Sequence, residues 1–306
     1  MAIIEVTGLQ KSYGDRHVLQ GIDLTVGDGE ILGILGPNGS GKTTAVECIG
    51  GLRTRDAGTV RVAGMDPATN PPALRQLLGM QLQQCRLPAK VRVGEILDLY
   101  AAFYPDPQPT DELLERFDLL GHKAARFANL SGGQQQRLSV ALALVGRPRI
   151  AFLDELTTGL DPAARRDIWA YLETLRRDGV TMVLVTHFME EAQYLCDRVV
   201  VISRGTVIAE GTPESVAASV GSQHTSFTYD PAVTEAMLLA VPGVSSVRQE
   251  RGRTVVTGGA DSTQAVIAAV SSAGVTLRQL RVESPSLDDA FILLTDDPTQ
   301  KEGGLA

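Results

Sequence analysis

The stretch Ile31–Thr44, ILGILGPNGSGKTT, decides the fold. Its first part, Ile31 to Leu35, is apolar throughout, and such a run predicts a strand of a parallel sheet that is buried on both faces. The residues that follow, GPNGSGKTT, match the spacing G-x-x-x-x-G-K-[ST], and a helix is predicted to begin near Gly41. A loop of this spacing between a buried strand and a helix binds phosphate. The stretch therefore predicts a nucleotide-phosphate site in an α/β fold.

Each part of this loop has a chemical reason to contact a nucleotide. Its glycines allow backbone N–H groups to converge on phosphate oxygens, and the helix N-terminus adds a partial positive charge. Lys42 would reach the β- and γ-phosphates, and the Thr43 hydroxyl would ligate Mg²⁺. The predicted nucleotide-contacting residues are Gly36, Pro37, Asn38, Gly39, Ser40, Gly41, Lys42, Thr43 and Thr44.

The stretch FLDELTTGLDP, Phe152–Pro162, contains two adjacent carboxylates, Asp154 and Glu155. They directly follow the apolar run Ile150–Leu153. Carboxylates at the end of a buried strand are costly unless a positive charge lies beside them. A Mg²⁺ ion bound to a nucleotide would supply that charge. We therefore predict that Asp154 organises the metal, directly or through water, and that Glu155 orients and activates the attacking water.

The pattern along residues 1–220 predicts one α/β domain. Alternation in IIEV and HVLQGIDLTV indicates an antiparallel β subdomain near the N-terminus. Helical periodicity from Val93 to Val145 predicts a helical insertion over about residues 84–147. The strand-like runs RIAFL, TMVLVT and RVVVIS then alternate with helical segments, which is the βαβ rhythm of a parallel sheet.

Residues 221–306 predict a small α+β domain. The polar stretch SVGSQHTS after about Ser219 is typical of a linker. The order strand, helix, strand, strand, helix, strand then indicates a ferredoxin-like arrangement, and the end, DDPTQKEGGLA, is expected to be disordered. We expect this domain to pack against or stabilise a dimer, with ligand sensing as the alternative.

The stretch LSGGQQQR, Leu130–Arg137, has two interpretations. Ser131 and Gln134 fit a capping box, which would simply begin a helix. A Ser-Gly-Gly turn at a helix N-terminus also offers a hydroxyl and exposed N–H groups to an anion. One nucleotide cannot obviously use this turn and the phosphate loop of the same chain, whereas two chains that meet head to tail could place one γ-phosphate between them.

With these motifs, the sequence resembles the nucleotide-binding domain of ATP-binding cassette (ABC) transporters over residues 1 to about 220. The resemblance implies a P-loop NTPase cassette that hydrolyses ATP with Mg²⁺ as a homodimer. GTP is disfavoured because no Asn begins the base-reading motif N-K-x-D. In the family the signature turn contacts ATP across the dimer, which implies that role for Ser131, Gly132, Gly133 and Gln134.

The resemblance assigns further residues by their motifs. Asp161 in TGLD would act across the dimer interface, and His187 in VTH would contact the γ-phosphate. Tyr13 would stack on adenine with Val18 beside it, and Gln83 would join the metal site, although Gln81 and Gln84 lie close to it. The sequence departs from the family in two places, where Arg92 stands for Thr and Leu156 for Pro.

The expected partner is a separate membrane permease. The sequence holds no run near the roughly 18 apolar residues of a membrane helix, and its start lacks the pattern of an export signal. We expect the subunit on the cytoplasmic face of the membrane, where the permease would dock near Gln83 and Val93–Tyr104. The formal net charge of -8 argues against a nucleic-acid partner.

An export function is implied by a narrower resemblance. The segments LDELTTGLDPAARRDIW, VTHFMEEAQYLCDRVVVISRG and SPSLDDAFILLT are similar to the daunorubicin-resistance and multidrug branch of bacterial exporters. The expected cargo is a drug, an antibiotic or another hydrophobic or lipid-like compound. Two alternatives stay open: a cassette ATPase of translation or DNA repair, and a regulatory protein that binds ATP without turnover.

Overall fold

The structure is a computed structural model that describes the chain except residues 70, 82–86, 221–222, 229–232, 251, 260, 284–285 and 296–306. Its contacts divide the chain into two units, Met1–Pro213 and Glu214–Ala306. The boundary expected from the sequence, residue 220, is the last residue of a helix that begins at Pro213. Each unit has its own sheets and its own buried apolar cluster.

A three-stranded antiparallel sheet begins the first unit. Its strands are β1 (Ala2–Tyr13), β2 (Arg16–Gly27) and β4 (Ala57–Val62), in the order β2-β1-β4. Alternate residues over Ile22–Val26 of β2 are buried, because one face of the sheet packs on the core. This sheet confirms the predicted antiparallel β subdomain.

A six-stranded sheet forms the centre of the first unit as the structure describes it. Its strands are β3 (Ile31–Leu35), β5 (Leu78–Gln81), β6 (Ile150–Asp154), β7 (Thr181–Val185), β8 (Arg198–Ser203) and β9 (Thr206–Gly211). The order is β5-β6-β7-β3-β8-β9, and every neighbouring pair is parallel except β8 with β9. All residues of β3, β6 and β7 are buried. Parallel pairing brings the loops after β3, β6 and β7 to one edge of the sheet.

Helices complete the first unit: α1 (Lys42–Ile49), α2 (Pro72–Leu77), α3 (Val93–Ala101), α4 (Thr110–Arg116), α5 (Gly132–Leu144), α6 (Pro162–Arg177) and α7 (Met189–Leu195). Three of them, α3, α4 and α5, lie within the predicted helical insertion. The short elements β4, α2, β5 and β9 have no counterpart in the sequence-based prediction, because each is too short for its periodicity to show. The α/β class itself is confirmed.

The helix α8 (Pro213–Val220) begins at the last residue of the first unit and continues into the second. The other elements of the second unit are β10 (Gln223–Thr228), α9 (Glu235–Leu239), β11 (Val244–Glu250), β12 (Arg253–Gly258), α10 (Ser262–Ser272), β13 (Arg278–Glu283) and α11 (Leu287–Thr295). Its sheet has the order β11-β12-β10-β13, and every neighbouring pair is antiparallel. Strand, helix and loop residues together form its buried apolar cluster, which includes Phe227, Leu238, Val256 and Val266.

The linker prediction for SVGSQHTS is wrong. Ser219 belongs to α8, and Gln223–Ser226 belongs to β10. The polar composition misled the prediction, because Thr225 is buried and its hydroxyl shares a 2.6 Å hydrogen bond with that of Thr263. The expected disordered tail lies outside the described residues. Among the helices that the structure describes, none combines the length and the apolar character that a membrane crossing requires.

Candidate functional site

The loop Gly36–Thr44 leads from β3 into α1 at the edge where the parallel strands end. Gly41, with φ of 106°, precedes the helix in a conformation that favours glycine. A Cβ at Gly36 would lie 2.1 Å from the carbonyl oxygen of Ile202, so only glycine fits there. Asn38 and Gly39 are exposed, whereas Pro37 and Thr44 are half-buried. The glycines thus keep the loop tight and place its tip in solvent.

The side chain of Lys42 lies back along this loop. Its Nζ donates hydrogen bonds to the carbonyl oxygens of Gly36 at 2.7 Å and Pro37 at 3.0 Å. Burial lowers the pKa of Lys42, while the nearby carboxylates of Asp154 and Glu155 oppose the shift. The ammonium is therefore held within a few ångströms of the loop backbone, where a bound phosphate would be a stronger partner than a carbonyl.

The hydroxyl of Ser40 is a further polar group of this loop. It is buried and has no hydrogen-bond partner within the described part of the chain. Buried polar groups are rarely left unpaired in native proteins. An anion in the loop would satisfy this hydroxyl together with the loop N–H groups, so the residues fit a phosphate.

Thr43 and Asp154 meet at the ends of α1 and β6. The Thr43 hydroxyl donates a 3.0 Å hydrogen bond to Oδ2 of Asp154, which is 1% exposed. Burial raises the pKa of Asp154 to about 6, and Glu155 adds to this rise. A hydroxyl beside a buried carboxylate is an oxygen donor set that suits Mg²⁺, because a bound cation would offset the burial of the charge.

A glutamine also contacts this pair. Gln81, at the end of β5 and 2% exposed, accepts a 3.0 Å hydrogen bond from the backbone N–H of Asp154. Gln83, the predicted metal ligand, lies outside the described residues. Sequence reasoning named Gln81 only as a neighbour of Gln83. Its contact with Asp154 arises from the pairing of β5 with β6, which the sequence alone did not reveal.

Glu155 stands in a strained backbone conformation next to His187. Its φ is 52°, an unusual value for a residue with a side chain. Its N–H donates to Val185 O at 2.8 Å, and its carbonyl accepts from Gln136 Nε2 at 2.9 Å. Oε1 of Glu155 is 3.4 Å from Nδ1 of His187, which follows β7. Two fixed backbone contacts thus direct the predicted base towards the predicted switch histidine, and Gln136 is a contributor that the sequence did not suggest.

The signature turn caps α5. Gln134 N–H donates to Ser131 Oγ at 3.2 Å, and Ser131 N–H donates to Gln134 Oε1 at 2.9 Å, which is a capping box. Ser131 and Gly132 are exposed, and a Cβ at Gly133 would lie 3.4 Å from Gly159 O. The helix-start interpretation is therefore correct, and the exposed turn is still open to an anion from outside.

Two further predicted residues lie on the surface. Asp161 caps α6 and accepts 3.0 Å hydrogen bonds from the N–H groups of Ala163 and Ala164. These hydrogen bonds, with that of Ala164 the largest cause, lower the pKa of Asp161.

Tyr13 ends β1 and is 42% exposed. The Nζ of Lys11 is 5.7 Å and the Cζ of Arg53 is 5.3 Å from the centre of the Tyr13 ring. Half-buried Val18 packs near Gly41, since a Cβ at Gly41 would lie 3.4 Å from Val18 Cγ1.

The structure thus brings one group of predicted residues together: the phosphate loop, Asp154, Glu155 and His187. The turn Ser131–Gln134 makes its side-chain hydrogen bonds within itself and to His122, whose Nε2 is 2.9 Å from Gln134 Nε2. Asp161 bonds within its own helix start. The two groups have separate hydrogen-bond partners, as expected if the second group serves another copy of the chain.

Comparisons with known proteins show what this chain is similar to. The family model described as "ABC transporter" matches residues 19–158. The daunorubicin resistance ATP-binding protein DrrA3 of Streptomyces coeruleorubidus is 35% identical, over 96% of this chain and 96% of that protein. The Nod factor export ATP-binding protein I of Rhizobium sp. (strain N33) is 36% identical, over 97% of this chain and 98% of that protein.

A solved structure extends the likeness to three dimensions. It is a dimeric ATP-binding cassette in a post-hydrolysis state, bound to ADP and Pi, with a TM-score of 0.64 and 28% identity. The match covers 68% of this chain and 98% of that chain. The chain therefore belongs to the family of ABC transporter ATP-binding proteins.

Proposed function

We propose that this chain hydrolyses ATP with Mg²⁺ to drive export of a drug-like or other hydrophobic compound through a separate membrane permease. One observation carries the hydrolytic part: the phosphate loop, Asp154, Glu155 and His187 share one edge of the central sheet. Export is supported by the relatives that match nearly the whole chain, one named for daunorubicin resistance and another for Nod factor export.

ATP would bind along the phosphate loop. The loop N–H groups and the Ser40 hydroxyl would contact phosphate oxygens, and Lys42 would exchange its carbonyl partners for the β- and γ-phosphates. The exposed ring of Tyr13, with Val18 nearby, would stack on adenine. These contacts hold the triphosphate at the edge where Asp154 and Glu155 lie.

Thr43 and Asp154 would hold Mg²⁺, with Gln83 as the further ligand expected from the sequence. Their fit rests on the 3.0 Å contact between the Thr43 hydroxyl and the buried Asp154 carboxylate. When bound there, Mg²⁺ would neutralise charge on the phosphate oxygens.

Glu155 would accept a proton from the attacking water, and His187 would donate a hydrogen bond to the γ-phosphate. The backbone contacts of Glu155 with Val185 and Gln136 fix its position before ATP binds. A preset base loses little freedom in the reaction, and this lowers the barrier.

The working unit would be a homodimer. The turn of Ser131, Gly132, Gly133 and Gln134, exposed at its first two residues, would in one copy complete the phosphate site of the other, with Asp161 near the same interface. The solved cassettes that this chain resembles include dimeric ones. A turn with exposed N–H groups at a helix start is suited to a phosphate.

The permease would dock on the helical insertion. Leu99 of α3 is 53% exposed, and Phe103, just after the helix, is 61% exposed. Two large apolar side chains in solvent near one helix end are suited to a protein partner. Binding there would place the subunit on the cytoplasmic face of the membrane.

The test is ATP turnover of the wild type, of Glu155→Gln and of the control Glu112→Gln, an exposed residue of α4. We expect Glu155→Gln to lose about 100-fold or more in kcat and the control to lose nothing, because only the first removes a proton acceptor. Size-exclusion chromatography of Glu155→Gln with Mg-ATP should show a dimer. Undiminished turnover contradicts the catalytic assignment, and a purely monomeric profile contradicts the homodimer.

A further inference from the structure

A fully buried carboxylate lies outside the group of residues described above. Glu191, in α7, has 0% exposure. Its Oε1 accepts hydrogen bonds from the Thr157 hydroxyl at 2.8 Å and from the Trp169 indole N–H at 3.1 Å. Its Oε2 has no hydrogen-bond partner within the described residues. Burial of a carboxyl group with only partial pairing is costly, so its two contacts call for an explanation.

The two donors connect Glu191 to segments that carry the chemistry. Thr157 comes two residues after Glu155 and four before Asp161. Trp169 lies in α6, the helix that Asp161 caps. Glu191 itself comes four residues after His187. One oxygen atom therefore joins the loop after the predicted base to the helix after the predicted switch histidine.

A second contact joins α6 to Phe188, the residue between His187 and α7. The guanidinium carbon of Arg165, in α6, is 4.7 Å from the centre of the Phe188 ring. That ring lies 4.1 Å from the imidazole of His187, centre to centre. The Trp169 ring also stacks on Tyr194 of α7 at 5.0 Å. Side chains therefore pack along the contact between α6 and α7, and Glu191 is the buried hydrogen-bond acceptor within it.

We propose that Glu191 is a positioning residue for hydrolysis: as the acceptor for Thr157 and Trp169, it holds the loop after Glu155 against the helix after His187. The Glu155 carboxylate and the His187 imidazole then keep their 3.4 Å separation. Glu191 does not touch ATP in this role. The inference rests on the proposed roles of Glu155 and His187.

The first test separates the loss of the hydrogen-bond acceptor from the loss of the negative charge. Glu191→Met removes the acceptor at similar volume, whereas Glu191→Gln keeps one acceptor oxygen. We expect Glu191→Met to lose about tenfold or more in kcat with KM for ATP within about threefold, because Lys42 and Tyr13 lie on other elements. Glu191→Gln should retain kcat within about threefold. Glu112→Met, the same substitution at an exposed position of α4, should match the wild type.

The second test measures the contact between Glu191 and Trp169 independently of ATP turnover. Trp169 is the single tryptophan of the chain, so tryptophan fluorescence reports on the contact between α6 and α7. Glu191→Met should shift the emission maximum of the nucleotide-free protein, and Glu191→Gln should not. If Glu191→Met does not fold, Thr157→Val removes one donor at nearly constant volume and should lower kcat about threefold or more.

Three results would overturn the proposal. One is a folded Glu191→Met, or in its place Thr157→Val, with wild-type kcat. Another is a loss of kcat in Glu191→Gln equal to that in Glu191→Met, because glutamine retains an acceptor oxygen. The third is wild-type emission in folded Glu191→Met. Failure of the catalytic assignment is distinct, since it appears as undiminished turnover in Glu155→Gln, whatever the Glu191 variants do.

Discussion

The hydroxyl of Thr43 donates a 3.0 Å hydrogen bond to Oδ2 of Asp154, across 111 positions of the chain. Thr43 lies in the first turn of α1, and Asp154 is the last residue of β6. The strands β3 and β6 both pair with β7, so the central sheet alone sets this meeting. The two oxygens of the proposed metal site are thus held together by the fold before any ligand binds.

The first prediction concerns the Thr43 hydroxyl. Thr43→Val keeps the shape of the side chain but removes the oxygen, so we expect kcat to fall about 100-fold. Thr43→Ser keeps the oxygen and should stay within about tenfold of the wild type. Turnover measured against Mg²⁺ concentration checks this. If Thr43→Val hydrolysed ATP with the wild-type Mg²⁺ requirement, Thr43 would not be a metal ligand.

The second prediction concerns the stability of the nucleotide-free protein. Burial raises the pKa of Asp154 to about 6, above the ordinary value of 3.8. The folded state therefore binds more protons than the unfolded state between these values, and Asp154 makes stability fall as pH rises through that window. Above about pH 6 the burial of the ionised carboxylate destabilises by up to about 3 kcal/mol.

Asp154→Asn should remove this penalty. Its amide oxygen can still accept from Thr43, so we expect a higher Tm than the wild type at pH 7.5 without Mg²⁺, and a smaller difference at pH 5. Its ATP turnover should be abolished. Thermal unfolding in a chelating buffer at both pH values measures the effect, with Asp167→Asn, at an exposed position of α6, as the control. A lower Tm for Asp154→Asn at pH 7.5 would contradict this account.

What the sequence predicts well is encoded locally. The buried run Ile31–Leu35 and the loop after it form one continuous pattern, and the predicted strand has the bounds of β3. The helix α6 begins at Pro162 because Asp161 supplies the cap and proline suits the first helical turn. In both cases neighbours along the chain settle the structure.

What the sequence did not predict depends on distant residues. Gln81 reaches the Asp154 N–H only because β5 pairs with β6, 73 positions away. Glu191 looks like an ordinary surface residue in MEEAQ, yet it is buried by contacts with Thr157 and Trp169. The composition of β10 predicts a linker, because the partner of the Thr225 hydroxyl, Thr263, lies 38 positions further along the chain. The amino-acid composition of a segment does not reveal such pairings.

The last prediction concerns Leu156, which stands where the resemblance would place proline. Its side chain is fully buried, and Glu155 before it holds φ at 52° through the contacts of its N–H and carbonyl groups. We expect Leu156→Pro to keep turnover within a few-fold, because those contacts belong to Glu155. Loss of the buried leucine should lower the free energy of unfolding by about 2 kcal/mol.

Leu156→Ala is the matched control, because it removes the same packing without restricting the backbone. Turnover and thermal unfolding of both variants separate two effects. Equal stability with much lower turnover in Leu156→Pro would show that the proline ring disturbs Glu155, since a residue before proline is itself restricted. A complete loss of turnover in Leu156→Pro alone would therefore mean that the free backbone at position 156 is required to place the carboxylate of Glu155 against His187.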